Sequence, residues 1–183
     1  GIRVLGNIVG RTYPDTSMHF VLAENFRTLW SILFSNASSR LSPAQIDRIG
    51  MELADADVIG LSCFSEYASL TREIIAAIRR HRPHAFIVWG GVHPTADPDS
   101  CIDCADAVAI GEAEVSFPEL LRRLDQGMPF EDVPGFWFRR NGTIVRNPSP
   151  PLLSSDQLND LPHPLYGQKE FLFAPDDTVF RPF

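Results

Sequence analysis

The amino-acid sequence predicts an α/β fold, a doubly wound parallel sheet of the Rossmann-like or flavodoxin-like type, with a β-hairpin after it. In the centre of the chain, short continuous apolar runs alternate with segments of helical period, which is typical of a parallel sheet covered on both faces. Farther on, Asn141-Gly142 separates two short β-type segments and is a strong two-residue hairpin signal. A chain of 183 residues, 44% of them hydrophobic, suits one domain of ordinary size.

The first 54 residues are predicted to form one strand and two helices. Residues 2–9 are rich in β-branched side chains, which favour a buried strand. Residues 18–34 place apolar side chains at helical spacing, so we expect a helix there. Ser42-Pro43-Ala44-Gln45 is a typical helix start, with Ser as the cap, Pro in the first turn and Gln at the capping-box position.

The rest of the chain is predicted as a sheet, a hairpin and a linker. The expected strands and helices of the centre are, by residue number, strands 57–63, 85–89 and 107–110 and helices 66–81 and 115–124. The expected hairpin strands are 135–140 and 143–146, and the Pro-rich text after residue 147 indicates an extended linker. These predictions divide the chain into an α/β binding domain over 1–130, a hairpin extension over 131–147 and a linker over 148–183.

Composition excludes several classes of function. The net charge is −7 and no basic stripe is present, which argues against nucleic-acid binding. No apolar run approaches the roughly 20 residues that cross a membrane. Three cysteines, an odd number, argue against a disulfide framework and favour a reducing cytoplasm.

Ligands of open parallel sheets bind beyond the carboxyl ends of the strands, where the strand order reverses. The loops at those ends are therefore the candidate site: 10–17, 62–67, 90–96 and 111–114. Gly90-Gly91 is the most informative pair, because residues without Cβ atoms let the backbone approach a bulky ligand closely and permit positive φ.

Two sets of residues resemble known cobalamin-binding families. Ser62-Cys63-Phe64 at one strand end and Gly90-Gly91 at the next resemble the Ser-x-Leu and Gly-Gly pattern of methionine-synthase-type domains, with Phe64 in place of Leu. A closer resemblance is to the cobalamin-binding amino-terminal domains of radical S-adenosylmethionine enzymes. It is carried by Gly90-Gly91-Val92-His93-Pro94-Thr95, Pro98-Asp99-Ser100-Cys101, Ala105-Asp106 and Gly111-Glu112-Ala113-Glu114.

The resemblance implies a cobalamin-binding domain that positions the corrinoid for methyl transfer or radical chemistry. In such domains the nucleotide tail of the cofactor lies between two strand ends, and other loops face the corrin ring. The cofactor-binding residues expected to contact the tail are Ser62, Cys63, Phe64, Gly90 and Gly91, and those expected to contact the corrin are Thr12, Tyr13, Ser17, His93, Thr95, Gly111 and Glu112.

The sequence departs from the methionine-synthase pattern at the cobalt ligand. That family has Asp-x-His-x-x-Gly in the first loop, whereas here Ser17 stands where the ligand His would be. The resemblance then implies a cobalt atom without a protein histidine below it, so no protein metal ligand is expected. His19 lies close enough in sequence to be the alternative ligand.

The iron–sulfur cluster of a radical enzyme requires Cys-x-x-x-Cys-x-x-Cys. Cys63, Cys101 and Cys104 do not have this spacing, so the chain is expected to be non-catalytic on its own. The resemblance implies a parent protein whose barrel, with a 4Fe-4S cluster and S-adenosylmethionine, lies beyond Phe183. That parent would be a methyltransferase, a cyclase or an oxidoreductase.

Other functions compete with this interpretation. Cys101 and Cys104 have C-x-x-C spacing, which is also found in redox pairs and zinc sites, but no second pair is present and packing at a helix start is the preferred interpretation. The sequence does not contain the G-x-G-x-x-G motif of a dinucleotide-binding fold. It also lacks the pair of acidic residues near the first strand end that a phosphate-accepting receiver domain has. The main alternative is a cofactor-free α/β regulatory or interaction domain, in which Phe64, Tyr67 and Trp89 are ordinary core residues.

Overall fold

The computed structural model describes residues 1–23, 41–164, 166, 169–175 and 177–183. The helices of this part are α1 (Ile2–Thr12), α2 (Pro43–Leu53), α3 (Ala68–His81), α4 (Val92–Ala96), α5 (Pro98–Ile102), α6 (Ser116–Asp125) and α7 (Ser155–Asp160), with a 3-10 turn at Ser65–Tyr67. Its strands are β1 (Met18–Val21), β2 (Val58–Ser62), β3 (Phe86–Gly90), β4 (Ala107–Ala109), β5 (Phe136–Arg140), β6 (Thr143–Arg146), β7 (Glu170–Phe173) and β8 (Arg181–Pro182).

The central sheet has the order β2-β3-β4-β5-β6. The first three strands are parallel, and β5 and β6 continue the sheet as an antiparallel hairpin. Alternate side chains of β3 enter two different cores, as the period of a strand requires. Ile87 and Trp89 pack with helices α2, α3 and α5, whereas Val88 packs with α6 on the other face. The predicted α/β sheet with helices on both faces is confirmed.

Local signals predicted several elements correctly. The Ser42 hydroxyl accepts a hydrogen bond from the Gln45 backbone N–H, and the Gln45 side chain returns to the Ser42 N–H, which completes the capping box of α2. Asn141 (φ 49°) and Gly142 (φ 79°) both have positive φ, as a two-residue hairpin turn of this hand requires. The central strands begin and end within one or two residues of their predicted bounds.

The predicted strand over residues 2–9 is wrong, because this segment is helix α1. Leu5, Ile8 and Val9 stand at i, i+3 and i+4, so the run has a helical apolar face as well as β-branched side chains, and a short apolar run does not separate the two. A Cβ on Gly6 would lie 2.5 Å from the Met18 sulfur, so this glycine lets α1 pack closely against β1.

The predictions for residues 18–34 and 148–183 also need correction. Residues 18–21 form strand β1 instead of a helix, while residues 24–40 lie outside the described part of the chain. The segment expected to be an extended linker contains α7, β7 and β8. β7 pairs in parallel with β1, and β8 pairs with β7. This pairing joins residues more than 140 positions apart, so no local pattern in the sequence reveals it.

Because residues 2–9 form a helix, the expected reversal of strand order at the site is not found among the described strands. The order β2-β3-β4 does not reverse among the described strands, because the segment expected to provide the reversal is α1. The carboxyl ends of three parallel strands remain together at one edge. In the part of the chain that the structure describes, no helix has both the length and the apolar character that spanning a bilayer requires.

Candidate ligand site at the carboxyl ends of the parallel strands

The carboxyl ends of β2 and β3 lie side by side. Ser62 is the register partner of Gly90, so the loops that follow them start next to each other. Gly91 has φ +100°, and a Cβ built on it would lie 2.6 Å from Ser62 Oγ and 3.2 Å from the Cys63 N and O atoms. Contact between the two strand ends therefore already explains why Gly91 must be glycine.

Thr95 connects the loop after β3 to the loop after β4. Its hydroxyl donates to the Gly91 carbonyl (2.9 Å) and accepts from the Gly111 N–H (3.0 Å). The His93 N–H reaches the Cys63 carbonyl at 3.4 Å, which ties the same loop to the end of β2. Three strand-end loops are thus held together by hydrogen bonds that involve predicted site residues.

His93 is buried, with 8% of its surface exposed. Its Nδ1 atom lies 3.2 Å from Ser65 Oγ, and its ring lies 5.8 Å from the ring of Trp89. The Nε2 atom is buried and has no hydrogen-bond partner within the protein. A buried ring nitrogen without a partner costs about 1–3 kcal/mol, so this atom is a candidate ligand contact.

One exposed apolar side chain follows each of the three parallel strands. These side chains are Phe64 after β2, Val92 after β3 and Val115 after β4, with exposures of 64%, 60% and 61%. We call these three residues the apolar rim. Such side chains at one edge of a sheet are suited to cover a flat apolar ligand.

The strand-end loops carry acidic groups and no Lys or Arg. Residues 49–71 and 83–121 contain neither cation. Exposed acidic residues in this region include Glu66, Asp97 and Glu112. The pKa of Asp97 is held below its usual value, chiefly by its hydrogen bond with Ser100, so this carboxylate stays charged at neutral pH.

Three predicted site residues do not belong to the loops after β2, β3 and β4. Thr12 ends α1 and Tyr13 follows it, so their segment does not leave a strand of the central sheet. Tyr13 lies within electrostatic range of Arg122 on α6. Ser17 Oγ lies 3.0 Å from His19 Nε2, next to β1.

Sequence reasoning missed Ser65, Val92 and Val115. Ser65 is the partner of His93, and nothing in its local sequence distinguishes it from any other loop serine. The other two share a signal that the sequence does contain. An apolar residue follows shortly after each parallel strand, in loops where polar residues are the rule.

The C-x-x-C cysteines have the properties of buried structural thiols. Burial raises the pKa of Cys101 to about 11, and it also raises the pKa of Cys104. Both thiols are therefore protonated at neutral pH, which disfavours metal binding and nucleophilic attack. Among the described residues, no group of three or more His, Cys, Asp or Glu side chains is placed to hold a metal ion.

The comparison with known families identifies the family to which this edge belongs. The family model of the B12 binding domain matches residues 31–121, about half of the chain, and this segment includes the three parallel strands of the central sheet, β2, β3 and β4. The chain belongs to the B12-binding domain family. The resemblance that the motifs predicted is thereby confirmed.

Relatives and solved structures place this B12-binding domain among larger proteins. An uncharacterised methyltransferase of Pyrococcus horikoshii is 25% identical over 163 residues, which is 87% of this chain and 35% of the relative. The cobalamin-dependent radical SAM methyltransferase TokK of Streptomyces tokunonensis is 29% identical over 125 residues, 66% of this chain and 18% of that protein. The chain thus spans about a third or less of the curated relatives it matches.

A solved structure shares the fold of this B12-binding domain. The apo form of the cobalamin-dependent S-adenosylmethionine radical enzyme OxsB superposes with a TM-score of 0.53 at 23% identity, over 65% of this chain and 17% of that one. At this level of identity the likeness establishes a common architecture.

The residues at the strand ends fit a corrinoid. The apolar rim matches the largely apolar face of a macrocycle, and the unsatisfied Nε2 of His93 matches its polar substituents. The contact between Gly91 and Ser62 leaves no gap between those two residues, so a cofactor would lie against this pair and not between its members.

His19 does not fit the role of a cobalt ligand in this B12-binding domain. Its ring stacks on Phe171 (5.0 Å) and meets the edge of Phe180 (4.6 Å), and burial lowers its pKa. The Phe180 N–H donates to Glu52 at the end of α2 that leads into β2. His19 therefore lies near the amino-terminal end of β2, away from the strand ends described above.

Proposed function

We propose that this chain binds cobalamin at the carboxyl ends of β2, β3 and β4 and positions it for chemistry in a larger parent protein. The observation that carries the proposal is the apolar rim, one exposed apolar side chain after each parallel strand, within the segment that matches the B12-binding family. The network of Thr95 supports it, because a rigid rim gives the cofactor one orientation.

The predicted residues divide into two roles. The side toward the nucleotide tail lies where two strand ends meet, and it is formed by Ser62, Cys63, Phe64, Gly90 and Gly91. The side toward the corrin is formed by Thr95, Gly111 and Glu112, with Thr12, Tyr13 and Ser17 supported by the resemblance alone. His93, which the resemblance assigns to the corrin side, stands between the two groups, because its N–H reaches the Cys63 carbonyl of the tail side. Bound cobalamin supplies cobalt–carbon chemistry, while these residues bind it, orient it and exclude water.

The parent protein is proposed to be a radical S-adenosylmethionine methyltransferase. Support comes from the relatives, which are named as methyltransferases and span far more residues than this chain. In this proposal a carboxyl-terminal barrel of the parent protein holds the 4Fe-4S cluster and S-adenosylmethionine. The binding domain extends beyond the expected end near residue 130, because β5 and β6 continue its sheet. Phe173, from the segment first expected to be a linker, is fully buried in the same core as Trp89.

The test is reconstitution of the purified chain with hydroxocobalamin in the dark, followed by desalting and an absorbance spectrum. We expect retained cobalamin with a base-off spectrum, because in this proposal the protein holds the nucleotide tail away from the cobalt and no protein histidine replaces its base. Phe64→Asp should weaken binding tenfold or more by placing a charge in the rim. Leu152→Asp is the matched control, because Leu152 is 85% exposed in the segment after the hairpin.

Two results would overturn the proposal. A folded chain that stays colourless at millimolar hydroxocobalamin would favour the cofactor-free regulatory domain. Equal weakening by Phe64→Asp and Leu152→Asp would separate cobalamin binding from the strand ends.

A further inference from the structure

His93 has two ring nitrogens in different situations. Nδ1 lies within hydrogen-bond distance of Ser65 Oγ, whereas Nε2 is buried without a partner in the protein. The side chain is more than nine-tenths buried and belongs to the loop after β3. A native protein normally supplies such an atom with a partner, either bound water or a ligand.

The partner of Nε2 fixes the tautomer of the ring. Neutral imidazole has one N–H donor and one acceptor, so the two nitrogens must play opposite roles. A serine hydroxyl is able to donate to Nδ1, and Nε2 then carries the proton. Ser65 therefore permits His93 to present an N–H group at the site.

Few positively charged side chains lie near the strand-end loops, and this limits the groups that are available to bind an anion there. The nearest cation after β2 is Arg72, whose Nη2 donates to the Ser100 carbonyl (3.3 Å) and whose guanidinium lies 5.5 Å from the centre of the Trp89 ring. The strand-end loops themselves contain no Lys or Arg. Arg72 is engaged by the Ser100 carbonyl and the Trp89 ring, so the unsatisfied His93 nitrogen is a donor that remains for an anionic group at this edge.

We propose that the Nε2–H of His93 donates a hydrogen bond to the phosphodiester of the corrinoid nucleotide tail, while Nδ1 accepts from Ser65. A phosphodiester oxygen only accepts, which matches the tautomer that a donating Ser65 sets. This inference rests on the proposed function and deepens it. His93 then selects complete corrinoids over cobinamide, which has the macrocycle but no nucleotide tail.

The experiment compares hydroxocobalamin with aquacobinamide by titration calorimetry on the 183-residue chain. His93→Phe should weaken hydroxocobalamin binding about tenfold, the effect of about 1.4 kcal/mol for one lost buried hydrogen bond, and should change cobinamide binding less than twofold. His93→Gln keeps an N–H donor on a side chain of similar reach and should recover part of the loss. His84→Phe, at an exposed position before β3, is the matched control and should change neither affinity.

A second readout does not depend on affinity. With cobalamin bound, ¹⁵N spectra of the imidazole should show the proton on Nε2. Ser65→Ala should raise the population of the other tautomer and weaken cobalamin binding.

Failure of this inference is distinct from failure of the proposed function. If the wild-type chain binds neither corrinoid, the proposed function fails. If it binds both and His93→Phe weakens both equally, or if the bound form carries its proton on Nδ1, cobalamin binding stands and the phosphate contact is wrong.

Discussion

Gly91 and Gly111 both have positive φ, at +100° and +77°, but their surroundings differ. A Cβ on Gly91 would meet Ser62 Oγ at 2.6 Å, whereas a Cβ on Gly111 would meet nothing within 4 Å. Gly111→Ala should lower the free energy of unfolding by about 1–2 kcal/mol, the cost of the left-handed conformation. Gly91→Ala should cost more, because its φ and ψ (100° and −165°) lie in a region open essentially to glycine alone and the clash with Ser62 adds to that strain.

Chemical denaturation of both variants measures this difference. Equal losses in the two variants would show that contact with Ser62 contributes nothing.

The Thr95 hydroxyl is a second residue-scale device. Thr95→Val keeps the shape of the side chain but removes the bonds to Gly91 and Gly111. We expect a loss of about 1–2 kcal/mol in unfolding free energy. Amide hydrogen exchange at Gly111 should become faster, since its N–H loses its acceptor. Thr143→Val on exposed strand β6 is the control, and a loss as large there would contradict the assigned role.

Buried thiols make stability depend on alkaline pH. The pKa of Cys101 is raised by burial to about 11, and its usual value is 9.0. Between these values the unfolded chain has released the thiol proton and the folded chain has kept it, so the unfolded state binds fewer protons and stability falls as the pH rises. The melting temperature of Cys101→Ala should therefore decline less steeply from pH 9 to 11 than that of the wild type.

A control for this prediction is Cys63→Ala, which leaves both shifted thiols in place. An identical pH slope in the wild type and Cys101→Ala would contradict it.

Some site residues were predictable from sequence and others were not. Paired glycines are rare and have a backbone meaning, so Gly90 and Gly91 stood out. The role of Ser65 was invisible, because it comes from a turn that brings its hydroxyl to a histidine 28 positions later. Side-chain partners across two loops are set by tertiary packing, and no local pattern contains them.

At the scale of elements, β7 shows that the carboxyl-terminal segment is part of the fold. Phe173 is fully buried with Trp89 and Ile87, although it follows a Pro-rich stretch. Phe173→Ala should lower the unfolding free energy by about 3–5 kcal/mol, the usual cost of removing a buried phenyl ring. Phe183→Ala, at a side chain that is 62% exposed, should cost far less.

Thermal and denaturant unfolding of the two variants tests this prediction. A small loss in Phe173→Ala would mean that the segment is only loosely attached.

The elements that sequence predicted correctly are those with local signals. Neighbouring residues determine a capping box and a two-residue turn. They also determine the central strands, because Gly and Asp mark the ends of the apolar runs. α1 and β1 were predicted wrongly for one shared reason. A short apolar run fits both the period of a helix and the period of a strand. Whether it forms a helix or a strand depends on distant partners such as Glu170, whose carboxylate forms a 2.6 Å ion pair with the Arg3 guanidinium of α1.

At the scale of the whole molecule, charge is divided unequally between the two edges of the sheet. Arginines gather where α3 ends and β3 begins, and they pair with nearby carboxylates: Arg79 with Asp106, Arg80 with Asp47 and Arg82 with Asp57. At the opposite edge the loops after β2, β3 and β4 are acidic and contain no Lys or Arg, and Arg72 lies on the adjoining helix α3.

This unequal distribution of charge affects the association rate of a corrinoid as well as its affinity. A negative potential at the strand ends draws cations in and slows anions, and added salt weakens both effects. Aquacobalamin carries a positive charge and cyanocobalamin is neutral, so stopped-flow mixing should show a faster association for the former. The difference should shrink between about 20 mM and 500 mM salt, while the dissociation rates change little.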